Sequence, residues 1–164
     1  MPKLPRKVEA DPRHEALEKL LTQNLKPLWE KSPVQVPTLP FHSTLEDSLL
    51  KVLGYHQLER GLENIEQILN NEENGLAAIR KKAGTAVANR VSRLVIIAND
   101  GTERFYRSCE SILLRHSTRV LCLRVDVPCA RLAQNLFGPE KVVKALLVSE
   151  KEAVSNVLFS LIQN

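Results

Sequence analysis

A chain of 164 residues with 43% hydrophobic content holds enough apolar side chains for one real core. No stretch approaches the roughly 20 consecutive apolar residues of a bilayer span, and the start MPKLPRKVEADPRHE lacks the apolar run of a secretory signal, so an intracellular, soluble protein is expected. The net charge is only +4, and three cysteines (Cys109, Cys122, Cys129) without a CxxC pair argue against a disulfide framework or a structural zinc site.

In chain order, Asp11-Pro12 reads as a helix start, and Leu17, Leu20, Leu21, Leu25 and Leu28 share one helical face. SPVQVPTLP (32–40) carries three prolines and reads as an extended linker. Residues 1–42 therefore form a helical N-terminal extension ahead of a domain over 43–164. Ser43 and Glu46 spell a capping box that opens a helix over Leu45, Leu49, Leu50 and Leu53, with Gly54 as its stop. Leu58, Leu62, Ile65, Ile68 and Leu69 keep helical spacing to about Asn71. A separate amphipathic helix then runs from about Gly75 through Leu76, Ile79, Ala83 and Val87 to Val91.

From there the period alternates. Leu94–Ala98 is a strand, and Phe105, Cys109, Ile112, Leu113 and His116 line a helix. VLCLRV (120–125) is a strand, Pro128 opens a helix that stops at Gly138, and Val142–Val148 is a third strand. Ser149 with Glu152 forms a second capping box before a last helix over Val154, Val157, Leu158, Leu161 and Ile162. Such alternation predicts an α/β fold, a three-layer α/β/α sandwich with its sheet covered on both faces.

Charge is segregated along the chain. Between Glu59 and Glu73 five glutamates accompany Arg60 alone, whereas Asn74–Asn99 holds no acid and carries Arg80, Lys81, Lys82, Arg90 and Arg93. Ser111–Val125 is also acid-free, with Arg115, Arg119 and Arg124. Clustered cations attract polyanions, and a helix beginning near Gly75 would set Arg80, Lys81 and Lys82 by its positive end. The aromatics are too scattered for a base-stacking platform, so structured RNA suits this surface better than single strands.

Catalytic alternatives are thinner. Asp100 and Asp126 each follow a strand and could share a Mg²⁺ for phosphoryl transfer if those strands are parallel neighbours, yet NDGT also reads as a turn and helix cap. Cys109 and His116 stand at i, i+7 on one apolar helical face, which reads as core. No GxxxxGK, Gx-Ser-xG or HExxH motif occurs.

From about Arg80 onward the chain resembles the kink-turn RNA-binding family of ribosomal proteins L-seven-Ae and L-thirty-e. The residues that carry the resemblance are TAVANRVSRLVIIAND (85–100), ILLRHSTR (112–119), VLCLRV and CARLAQNLFG (129–138). The family sets Gly-x-Asn-Glu at the start of its second helix. Counting back from LVIIAND, those positions are Ile79, Arg80, Lys81 and Lys82, without the asparagine and glutamate. The family's second RNA contact, a loop before its last strand, falls on Phe137–Lys141.

The long extension and divergent motif resemble the family's RNase P and RNase MRP members most. The resemblance implies a non-catalytic RNA-binding subunit of a tRNA- or rRNA-processing ribonucleoprotein, nuclear and nucleolar, without a cofactor. Its RNA contacts would be Arg80, Lys81, Lys82, Thr85, Asn89, Arg93, Pro139 and Lys141, and its N-terminal extension, with Trp29, would dock on other protein subunits. A protein-interaction module of the same fold without RNA binding is the alternative. The Mg²⁺-dependent enzyme using Asp100 and Asp126 comes third.

Overall fold

The computed structural model describes residues 2–83 and 90–162. The elements run α1 (Arg6–Glu9), α2 (His14–Gln23), β1 (Leu25–Pro27), β2 (Gln35–Leu39), α3 (Ser43–Gly54), β3 (Leu58–Arg60) and α4 (Leu62–Ala83). They continue with β4 (Arg93–Ile97), α5 (Glu103–Arg115), β5 (Val120–Val125), α6 (Cys129–Phe137), β6 (Ala145–Val148) and α7 (Lys151–Ser160). The strands form one sheet in the order β1-β2-β5-β4-β6-β3. β2, β5 and β4 are mutually parallel; β6 runs against β4, β3 against β6, and β1 against β2.

The central strands are apolar on both faces because helices cover both. Leu94, Ile96 and Ala98, with Leu121, Leu123 and Val125, point into a core built with α1, α2, α3, α6 and α7. Val95 and Ile97, with Val120 and Cys122, point the other way, into a core built with α4 and α5. The expected α/β/α sandwich is thus the fold observed, with a mixed sheet.

Residues 1–42 are where the sequence expectation departs most from the structure. They do not stand apart as an extension: Leu4, Val8, Leu17 and Leu21 are buried in the first core, and Leu28 and Val36 in the second. The proline-rich segment is no linker. Its Gln35–Leu39 stretch joins the sheet, with Thr38 and Leu39 opposite Arg124 and Val125 of β5. Arg124 fastens this strap, donating to the carbonyls of Leu28 and Pro27 and to Thr38 Oγ1. β2 lies between β5 and the short edge strand β1, where Pro37 stands opposite Leu25.

The remaining differences are local. Asp11 accepts from the Arg13 amide, and α2 itself begins at His14. Neither expected capping box forms. His42 precedes α3, so Ser43 lies inside it, while Glu46 reaches across to α6. Glu150 caps α7 by accepting from the Ala153 amide, and Ser149 donates instead to the Gln57 carbonyl. β6 starts three residues later than expected, at Ala145.

The two helices expected on either side of Asn71–Asn74 are one, α4. At 1.5 Å per residue its 22 residues span about 33 Å, roughly twice the length of a five-residue strand. Ile65 and Leu69 bury its first half against the sheet. From Leu76 onward it overhangs the sheet, with Ile79 56% exposed.

Candidate nucleic-acid interface

The register fixes what lies at each end of the sheet. Ile97 of β4 is level with Ala145 of β6, and Arg60 of β3 with Leu146. The end where β4 and β5 finish therefore also holds the start of α4 and the loop from Phe137 to Lys144. At the other end Arg93 is level with Val120, beside the second half of α4.

At the first end Gly61 turns the chain from β3 into α4. Its φ of +90° is a conformation that L side chains rarely adopt. Its N–H donates to the Ala145 carbonyl and its own carbonyl accepts from Ile65. The first turn of α4 is thus Leu62-Glu63-Asn64, with Glu63 and Asn64 exposed. Asn64 Nδ2 donates to Glu59 Oε2 at 3.3 Å. The Arg60 guanidinium lies 4.5 Å from the Phe137 ring centre, tying this turn to the Phe137–Lys144 loop. Pro139, Lys141 and Lys144 are exposed on that loop, and the Lys141 amide donates to Gly138.

This arrangement corrects the register read from the sequence. The helix that precedes β4 begins at Leu62, not near Gly75 or Ile79. Ile79, Arg80, Lys81 and Lys82, read from the sequence as the start of that helix, lie in its second half. Counting back failed because α4 is about six turns long and the count assumed a shorter helix. The signal that could have found the start of α4 was the lone glycine between the short LER run and an apolar helical stripe.

The expected basic surface lies at the opposite end, so Arg80–Lys82 and Pro139–Lys141 do not form one site. Arg80, Lys81 and Lys82 occupy the last described turn of α4, not its first. Their charge therefore offsets the negative end of a helix dipole rather than adding to a positive one. Arg93 is held by Glu72 in a bidentate pair, with Nη2 to Oε2 at 2.9 Å, and Arg80 donates to Glu73 at 3.2 Å. Buried Arg119 donates to both glutamates. Lys81 and Lys82 are exposed, while Thr85 and Asn89 lie outside the described residues.

The carboxylates at the first end are occupied structurally. β4 and β5 are parallel neighbours, so Asp100 and Asp126 do follow adjacent strand ends. Asp100 Oδ1 accepts from the Cys129 amide at 2.9 Å and Oδ2 from its Sγ at 3.3 Å, capping α6 from the neighbouring strand. Asp126 accepts from Asn99 Nδ2 at 2.9 Å. Thr102 caps α5 through the Phe105 amide, as the sequence suggests. Among the described residues no group of three His, Cys, Asp or Glu side chains could hold a metal ion.

The thiols are protonated at neutral pH. Burial pushes Cys109 up to about 12 and Cys122 well above its usual range, and burial followed by Asp100 raises Cys129. Trp29, expected to meet a partner, donates to Glu110 at 2.9 Å and lies under the Arg107 guanidinium. Among the described residues no helix is long and apolar enough to cross a membrane.

No family model and no curated protein matches the sequence. Solved structures do match. A protein of unknown function from Bacillus halodurans C aligns with TM-score 0.50 at 14% identity, covering 74% of this chain and 98% of that one. The Giardia lamblia 15.5kD RNA binding protein aligns with TM-score 0.46 at 14% identity, covering 74% of this chain and 88% of that one. The first likeness is one of fold, over three quarters of the chain.

Proposed function

We propose that the chain is a non-catalytic RNA-binding subunit of a ribonucleoprotein, of the RNase P/MRP kind that processes tRNA or rRNA in the nucleolus. The observation that supports this reading most is that the Gly61 turn opening α4 and the Phe137–Lys144 loop lie together, joined by Arg60 on Phe137. The two contact elements implied by the sequence resemblance thus share one end of the sheet once the helix is counted from Gly61.

A kink-turn-like RNA would meet three kinds of group there. The first N–H groups of a long helix lack intrahelical acceptors and favour an anionic or carbonyl oxygen. Exposed Asn64 and Glu63 offer an amide and a carboxylate to base edges in the bend. Arg60, Lys141 and Lys144 supply charge for the flanking phosphates. The RNA, in this reading, carries the chemistry of the particle. Protein subunits would meet the outer faces of α1 and α2, since the leucines of their inner faces are already buried.

Binding to a kink-turn RNA, followed by gel shift, tests the proposal. Reversing charge at Arg60 and Lys141 (Arg60→Glu with Lys141→Glu) should weaken binding about tenfold or more and flatten its salt dependence. Kink-turn affinity that is unmoved by this pair would sink the reading.

A further inference from the structure

The overhanging half of α4 encloses a second feature. A groove of about 750 Å³ opens between α4, residues 90–93, α1 and the first residue of α7. Among the described residues Arg6, Arg80, Arg90, Arg93, Arg119 and Lys151 line it, against one lining carboxylate, Glu72. Glu73 and Glu9 stand behind Arg80 and Arg90 as ion-pair partners. The cations still outnumber every carboxylate that neutralises them, and exposed Lys81 and Lys82 continue the positive surface along the helix.

We infer that this groove is a second RNA site, one that grips the phosphodiester backbone of a duplex segment without reading its sequence. Three features favour that ligand. The cations come from five separate parts of the chain and are spread along an open groove, which suits a polymer of evenly spaced charges rather than a single small anion. Five of the six are arginines, whose planar guanidinium forks match phosphate oxygens. Glu72 and Glu73 engage the guanidinium forks of Arg93, Arg119 and Arg80 and so fix the wall of the groove, while Arg6 and Lys151 are exposed at its rim to meet phosphates. The inference rests on the RNA-binding reading for its choice of polyanion, but it concerns the opposite end of the sheet.

The test uses the full chain and two probes, a plain RNA duplex and a kink-turn RNA, with affinity measured across a salt series. Arg6→Glu with Lys151→Glu should weaken plain-duplex binding about tenfold and lower the slope of log affinity against log salt by about two, one for each cation lost. Kink-turn binding should be retained, and both RNAs should sit on the protein at once, seen as a supershift. The reciprocal pair, Arg60→Glu with Lys141→Glu, should bring kink-turn affinity down to that of the plain duplex and leave the duplex unchanged. If the wild-type chain binds the kink-turn RNA no more tightly than the duplex, the groove stands and the proposed site at Gly61 fails. If the kink-turn RNA binds and the duplex does not, the groove assignment is overturned alone. Mutual exclusion of the two RNAs, or preference of the groove for poly-glutamate over duplex, also overturns it.

Discussion

Single residues show most clearly which polar groups serve the fold. Tyr106 donates its hydroxyl to the Ala98 carbonyl at 2.8 Å and accepts from the Gly101 amide at 3.1 Å, closing the NDGT turn from below. A Cβ on Gly101 would fall 2.5 Å from the Phe105 ring and 3.0 Å from that of Tyr106. Gly101→Ala should therefore cost about 1–3 kcal/mol in a denaturant melt. Asp100→Ala removes the acceptor from the start of α6 and should cost about 1 kcal/mol, leaving RNA affinity unchanged in the same gel shift. His116 titrates differently from a surface histidine. Burial first, then Arg119 and Arg115 against the weaker pull of Glu73 and Glu72, holds its imidazole below the ordinary 6.5. In the neutral ring Nε2 donates to Asn70 Oδ1 at 3.1 Å. The unfolded chain then binds the extra proton more readily, so stability is full above pH 6.5 and falls as pH drops toward the lowered value. Thermal melts of His116→Leu should lack this slope between neutral and mildly acidic pH.

Elements were legible in the sequence where burial wrote the pattern and illegible where a partner far along the chain decided it. RLVII and VLCLRV are strands buried on both faces, and no competing period disguises them. β3 is three residues, Leu58-Glu59-Arg60, of which only Leu58 is buried, so nothing local separates it from the helical stripe that follows. NNEENG reads as a break, yet α4 passes through it because Glu72 and Glu73 are held by Arg93 and Arg119. Both capping boxes failed for the same reason: the acid had a stronger partner, or another residue reached the amide first. Glu46 is the clearer case, with Arg131 at 2.6 Å and Asn135 at 3.0 Å joining α3 to α6. The Arg131 hydrogen bond above all keeps its carboxyl below the usual 4.5. That contribution is present above the unfolded value and is lost as pH falls through the depressed one. Glu46→Ala should cost roughly 2 kcal/mol by urea melt near neutral pH, with the gap to wild type narrowing in acid.

For the molecule as a whole, the charge blocks that stood out in the sequence largely cancel on folding. Arg115 faces Glu66, and Arg80, Arg93 and Arg119 share Glu72 and Glu73. Arg124 is spent on the strap. A linear count of cations therefore pointed to a basic surface but could not say which of its members face solvent. The N-terminal segment escaped for a related reason, since its leucines have no core within their own stretch of sequence. Leu4, Val8, Leu17, Leu21, Leu28, Val36 and Leu39 are all buried, together worth on the order of 10 kcal/mol. Ordinary domains hold only about 5–15 kcal/mol in total. A chain beginning at Ser43 should show no cooperative melt by circular dichroism, and a cooperative transition near that of the full chain would show that the segment is dispensable.

The unbroken course of α4 has a mechanical consequence. Its first turn belongs to one end of the sheet and its last described turn to the other, and the helix works as a strut of fixed length, about 33 Å. Two ligands held at its tips cannot drift relative to one another, in distance or in angle, without bending it. A helical rod also rotates by 100° with each residue added, so inserting a single residue near Gly75 would swing the far grip round the axis as well as extend it. The protein would then act as a caliper, its setting written in the residue count of one helix.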